Sequence, residues 1–173
     1  VPFAGGNKGA FLLPDVGDEV LVVFLNGDPR FPMVVGGLWN SRDQAPDSLP
    51  GDRVDRWTIT GKAGTKFSIV EEGSGQERIV FETPAGVKGT LTDEAGGKIK
   101  LEAAGNTVTM ETSGVTIQAS AKVTVQASQV EVSAGMVTVD AGMSKFSGVV
   151  QCDTLIATTV VSSMYTPGAG NIW

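Results

Sequence analysis

Few residues in this chain have the type and spacing to do chemistry. Asp18 and Glu19 in "VGDEV" are paired carboxylates. Read within a strand they project to opposite faces, so they cannot flank one scissile bond. Solvated edge charge or a turn salt bridge is the better reading. "GAGN" (Gly168–Asn171) echoes a dinucleotide fingerprint, but no strand–helix unit surrounds it, and it reads as a turn. Cys152 in "VVQCDT" has no histidine to activate it, because the chain contains none. It reads as a small buried side chain. The absence of histidine also excludes a Ser-His-Asp triad, an HExxH zinc site and a histidine-ligated iron within this chain. The expectation is no catalytic residue, no metal and no cofactor.

Composition narrows the partners. The chain has 173 residues, 41% hydrophobic and only 18% charged, against about 25% charged in typical soluble domains. Ser, Thr, Gly and Gln take over solubility, as on the outer face of an extended β structure. Its 23 glycines follow no G-X-Y period. A net charge of −6 argues against nucleic acid, whose affinity rests on Lys and Arg. It also argues against a free-standing membrane-surface module. No apolar run approaches the roughly 20 residues of a bilayer span. "VPFAGGNKG" lacks the charged and apolar regions of a signal peptide. A single cysteine excludes an intrachain disulfide framework.

The elements that would position any site are all strands. In residues 1–40, Val20–Leu25 and Met33–Val35 flank the turn-rich "NGDPRFP" and predict a hairpin within a small closed barrel. Residues 41–55, "SRDQAPDSLPGDRVD", read as a linker. Residues 56–97 hold short alternating strands in which Trp57, Ile59, Phe67, Ile69, Ile79 and Phe81 fall on a period of two. Trp39 and Trp57 are expected at barrel and linker contacts.

Residues 98–165 carry a repeat, V-x-[VI]-x-A. Its copies are Val115, Ile117, Ala119; Val123, Val125, Ala127; Val130, Val132, Ala134; and Val137, Val139, Ala141, with Val108 and Met110 as a looser first copy. Thr, Gln, Ser, Glu and Asp fill the alternate positions. Each unit is a short strand with one apolar and one polar face. Burying a Val contributes about 1.5–3 kcal/mol, against roughly 1–2 kcal/mol of backbone ordering per residue, so a lone unit cannot stand in water. Two closures exist, a single-chain solenoid and a three-chain prism. Four units make barely one solenoid coil, which is too few. Val and Ala suit a narrow axis shared by three chains, so these residues are the expected trimer core. Alternation persists at Val149–Gln151 and Thr154–Val161, and "TPGAGN" then breaks the strand.

Ala4–Asn40, with "LPDVGDEVLV" and "NGDPRFPMVVGGLWN", followed by "WTITGKAGTKFSIVEE", resembles the central spike proteins of contractile injection machines. That family comprises the valine-glycine-repeat spikes of type VI secretion, the spikes of extracellular injection particles and contractile phage baseplate spikes. The resemblance implies an all-β homotrimer: an OB-type barrel lacking its first strand, then an intertwined triangular triple-stranded β-helix, and a blunt tip at 166–173. It implies a puncturing spike that transmits force, assembled in the bacterial cytoplasm as part of a secreted or cell-surface-directed particle. The upstream hub and the lysozyme insertion of some relatives are not in this sequence. The implied partners are baseplate and inner-tube components near the N-terminal end and a conical PAAR-type tip protein at the other. A target membrane would be met only on puncture. Tyr165, Ile172 and Trp173 are large apolar groups at the chain end, expected to dock that tip. The competing reading is an extracellular β-helical adhesin or carbohydrate-binding fibre.

Overall fold

The computed structural model describes residues 4–164. Its regular elements there are β-strands and two single-turn 3-10 segments. The chain divides into two units, one reaching Val125 and one starting at Gln126.

The first unit opens with two short ribbons. Strands β1 (Ala4–Gly5) and β2 (Lys8–Gly9) pair antiparallel. Strand β3 (Val20–Phe24) pairs with β4 (Pro32–Gly37), with a bulge at Leu21/Val22. The hairpin expected from the apolar runs is therefore present. Its loop is held by Asp28, whose carboxylate accepts from the Arg30 backbone N–H at 3.0 Å and from its guanidinium Nη2 at 2.6 Å. The expected closed barrel is not formed by the described residues. The two ribbons share no ladder, and Leu21, Met33 and Val35 stay exposed. Asp18 and Glu19 lie in the approach to β3 rather than within a strand. Asp18 caps a turn by accepting from the Asp15 N–H at 2.7 Å. Glu19 accepts from Asn40 Nδ2 at 2.8 Å.

The larger element is one antiparallel meander of seven strands: β5 (Arg56–Thr60), β6 (Lys66–Val70), β7 (Arg78–Glu82), β8 (Lys88–Thr92), β9 (Lys98–Ala103), β10 (Asn106–Glu111) and β11 (Gly114–Gln118). Each pairs with its sequence neighbours, in the order that short connections favour. The β9–β10 turn has two residues, Ala104 (φ 50°) and Gly105 (φ 77°). Both are left-handed, as a hairpin turn matched to strand twist requires. The meander crosses residues 97 and 98 without a break, because β8 and β9 pair from Lys88↔Glu102 to Thr92↔Lys98.

No strand follows Gln118 among the described residues. The repeats from Val123 to Ala141, expected as strands, carry no ladder there, and neither do Val149–Gln151 and Thr154–Val161. A strand exists only by pairing, and these segments pair with nothing among the described residues. For the same reason Cys152, expected to be buried, is exposed.

Gly89 occupies the one place in β8 where a side chain would not fit. A Cβ there would stand 1.9 Å from Cζ of Phe81, its cross-strand partner in β7, whose ring lies over it. Gly89→Val should therefore cost the sheet about 1–3 kcal/mol in chemical denaturation, through overpacking. Phe81→Leu on that background should recover part of the loss. An unchanged midpoint in Gly89→Val would show that the ring is not seated there.

Candidate functional site: an apolar sheet face and a charged strap

Strand alternation sorts the meander into two unlike faces. One carries two apolar rows that cross all seven strands. The first runs Trp57, Ile69, Ile79, Leu91, Ile99, Met110, Val115; the second runs Ile59, Phe67, Phe81, Gly89, Leu101, Val108, Ile117. Cross-strand neighbours of this kind contribute roughly 0.2–1 kcal/mol each. The rows nevertheless remain open: Trp57 is 51% exposed, Phe67 42% and Ile117 61%. Val70, on the opposite face, is the single buried hydrophobic side chain among the described residues. A hollow of about 740 Å³ lies along the rows, lined by Ile69, Ile79, Leu91, Ile99 and Met110.

The opposite face is polar. Its central row is Thr58, Ser68, Val80, Thr90, Lys100, Thr109, Thr116. Beside it Lys66, Glu82, Lys88 and Glu102 alternate in sign across four strands. Lys98 and Glu111 form an ion pair at 2.9 Å, which raises the lysine and lowers the carboxyl relative to their ordinary values.

Residues 38–55 form a strap across the β5–β6 end of this polar face, fixed at three points. Near its start the Asn40 side chain accepts from the backbone N–H groups of Arg42 and Asp43, at 2.9 and 2.8 Å, while donating to Glu19. In the middle the Asp47 carboxylate accepts from Thr58 Oγ1 at 2.9 Å, Lys66 Nζ at 3.0 Å and the Ser48 N–H at 2.9 Å, with Arg56 Nη1 at 3.9 Å. At its end Asp55 is 5% exposed. Its carbonyl accepts from the Glu71 N–H at 2.7 Å and its carboxylate takes Arg56 Nε at 2.9 Å. Glu72 joins the cluster, accepting from Arg56 at 2.8 Å and Arg78 at 3.0 Å. A second tie, the ion pair of Asp15 with Lys62, joins the approach to β3 to the β5–β6 loop.

Of the residues expected at a trimer core, Val108, Met110, Val115 and Ile117 lie together in the two apolar rows. Ala119 sits just past β11 and is half-buried. Val123, Val125, Ala127, Val130, Val132, Ala134, Val137, Val139 and Ala141 follow in chain that joins no ladder among the described residues. The expected docking residues Tyr165, Ile172 and Trp173 lie outside the described residues. The first half of the apolar face, from Trp57 to Leu101, was not expected there. Its period-two signal was visible, but the register joining it to the repeats was not. Trp57 belongs to this face and not to a barrel contact, because it alternates with Thr58, which faces the strap. Trp39 is 73% exposed and lines a hollow of about 220 Å³ with Pro46, Leu49 and Arg56.

Among the described residues no group of three His, Cys, Asp or Glu side chains could hold a metal. None of the helical segments there is long and apolar enough to cross a membrane.

Asp47 gives the strap a pH dependence. Hydrogen bonding to Lys66, then to Thr58 and to the Ser48 N–H, lowers its carboxyl from 3.8 to about 2. The ionised form therefore contributes stability fully present above pH 3.8 and lost as pH falls through about 2. Amide exchange of residues 45–49, corrected for intrinsic rates, should show protection flat from pH 6 to about 4 and declining towards 2. Loss of protection already at about pH 5 would contradict the clamp.

Two family models match the chain. Residues 1–39 match the type VI secretion system/phage-baseplate injector OB domain. Residues 78–143 match the phage baseplate V C-terminal trimerisation domain. Among curated proteins, the type VI secretion system spike protein VgrG3 of Vibrio cholerae is 33% identical over 84 residues, covering 49% of this chain and 8% of that protein. The spike protein VgrG1a of Pseudomonas aeruginosa is 40% identical over 83 residues, covering 44% of this chain and 13% of that protein. The actin cross-linking toxin VgrG1 of Vibrio cholerae is 28% identical over 102 residues, covering 57% of this chain and 9% of that protein. The matched stretch is thus a small fraction of the length of these relatives.

Proposed function

We infer that this chain, a relative of the spike proteins of type VI secretion and phage baseplates, is the shaft-forming part of a structural puncturing spike. Its work is mechanical. The chain assembles as a homotrimer, with three apolar sheet faces turned to a common axis and the polar Thr, Ser and Lys–Glu rows outward. Beyond Gln118 the V-x-V-x-A units complete their ladders by pairing between chains, as an intertwined triple-stranded β-helix over the later part of 98–165. Residues 1–40 act as the OB-type part towards baseplate and inner-tube components, and 166–173 as a blunt end. Tyr165, Ile172 and Trp173 dock a conical PAAR-type tip protein. The shaft itself catalyses nothing and holds no cofactor; the toxin activity in the name of one relative is said of that protein.

The observation that carries this reading is the bare apolar face. It crosses seven strands, continues in sequence into apolar repeats that find no partner among the described residues, and lies largely within the segment similar to a trimerisation domain. Exposed apolar patches of this extent mark an interface. Closing the ladders between chains also removes the edges that would otherwise recruit other strands.

Neighbouring residues test the face. Val108→Asp sets three carboxylates about one axis and should abolish the trimer in native mass measurements, because like charges would be desolvated together. Thr109→Asp, beside Lys100 on the polar face, should leave it intact. Equal behaviour of the two variants would reject the assignment. Removing Ile172 and Trp173 should leave the trimer whole and end co-purification of the tip protein; undiminished tip binding would place the docking platform elsewhere.

A further inference from the structure

The connection between the OB-type segment and the sheet raises a mechanical question. Strand β4 ends at Gly37 and β5 begins at Arg56. The intervening chain could extend to about 60 Å. Left free, such a polar segment behaves as a coil, and a coil transmits tension only after it is drawn out and compression not at all. The segment is instead folded back on the polar face of β5 and β6 and pinned there.

We propose that Asp47 is the latch that turns this segment from a tether into a rigid coupling between the OB-type part and the shaft. The proposal rests on the spike reading above. Of the three fixed points, the first holds the strap to Glu19 before β3, and the last, where Arg53 and Asp55 bond Glu72 and Glu71, lies within three residues of the start of β5. Asp47 alone holds the middle of the strap, and it does so through two strands at once: Thr58 in β5 and Lys66 in β6. Those two residues sit on the same face of adjacent strands, so one carboxylate staples the strap and the first hairpin together. Thr58 Oγ1 also lies 3.4 Å from Ser68 Oγ in β6, extending the polar contact into the buried part of that face.

The latch is placed where thrust must cross. The Asp15–Lys62 pair is the other described tie from the residues before the strap to the sheet, and both of its side chains are largely in solvent. Exposed pairs of that kind contribute little. Asp47 is three-quarters covered at its side chain and takes charge-assisted bonds, which are shorter and stronger than neutral ones. In an assembly of three chains the latch would act three times around the axis, outside the apolar core.

Trypsin supplies the test, because Arg42 and Arg53 stand in the strap on either side of Asp47. Cleavage of a folded segment requires local opening. In the full chain, Asp47→Ala should speed cleavage after Arg42 or Arg53 by about tenfold, since charge-assisted bonds are lost. Asp47→Asn should give a smaller rise. Asp52→Asn, the same change of charge in the same strap, should leave cleavage after Arg42 unchanged. Lys66→Met attacks the latch from the sheet side and should reproduce the effect if Asp47→Ala proves unstable. Amide protection of β7–β10 should be unchanged in each. Equal cleavage of wild type, Asp47→Ala and Lys66→Met overturns the latch. The mechanical consequence is read in a delivery assay with the assembled particle. Delivery that needs the chain but ignores a loosened strap overturns the coupling. Delivery that never needs the chain overturns the spike reading instead. Loosened strap with reduced delivery, at unchanged trimer mass, supports both.

Discussion

The structure depends on one imbalance: a single-layer sheet whose apolar face has nothing over it. In an ordinary sandwich a second sheet covers the inner face. Here the face that is partly covered is the polar one, under the strap, and the face left in water holds Trp57, Ile59, Phe67, Phe81, Leu91 and Leu101. A chain of this size with one buried hydrophobic side chain in its described part has not finished folding by itself. Burial of each large side chain contributes about 1.5–3 kcal/mol, and that contribution becomes available only against another surface of the same kind. Self-association of the face follows from the same arithmetic that makes the isolated sheet marginal.

Backbone polar groups impose a second requirement, and it divides the chain at Gln118. From β5 to β11 every strand finds its ladder in the next strand along the sequence, through turns of the lengths hairpins use. Beyond β11 the side-chain pattern is unchanged, yet the ladder stops. Chain of strand-like pattern whose N–H and C=O groups join no ladder is a template for pairing. On the spike reading proposed above, the two halves would meet one requirement by different routes, within the chain first and between chains afterwards.

How much of this was legible from sequence depends on range. Period-two alternation in "RWTIT", "KFSIV" and "RIVFE" is local, and it identified both the strands and the side chains that share a face. The β3–β4 hairpin was equally local, marked by "NGDPRFP". Two features were not legible. One is the register that joins Trp57 to Val115 as a single row, because pairing across seven strands is set by turn lengths that alternation does not encode. The other is the strap. "SRDQAPDSLPGDRVD" has the composition of a linker, and its Pro, Ser and Asp content gives no sign of anchoring. Asp47 finds its partners 11 and 19 residues away, at Thr58 and Lys66. Barrel closure is illegible for a related reason: apolar runs show that strands exist, but closure depends on which edges meet.

A polar latch suits this position better than an apolar one would. The outer face of the sheet carries Thr, Ser and alternating Lys and Glu, which suits a face that would remain in water in the proposed assembly. An apolar strap lying there would compete with the bare inner face for the same kind of partner, and so for the wrong assembly. A carboxylate directed at a hydroxyl and an ammonium group cannot be satisfied by Ile, Leu or Phe, so the strap and the assembly face do not exchange partners. The segregation also separates two sensitivities. Salt and extreme acid act first on the strap, through Asp47 and its cationic partners, whereas the apolar rows answer to temperature and denaturant. The coupling at the sheet's outer face and the cohesion at its inner face thus draw on different physics in adjacent layers, so that stress on one need not loosen the other.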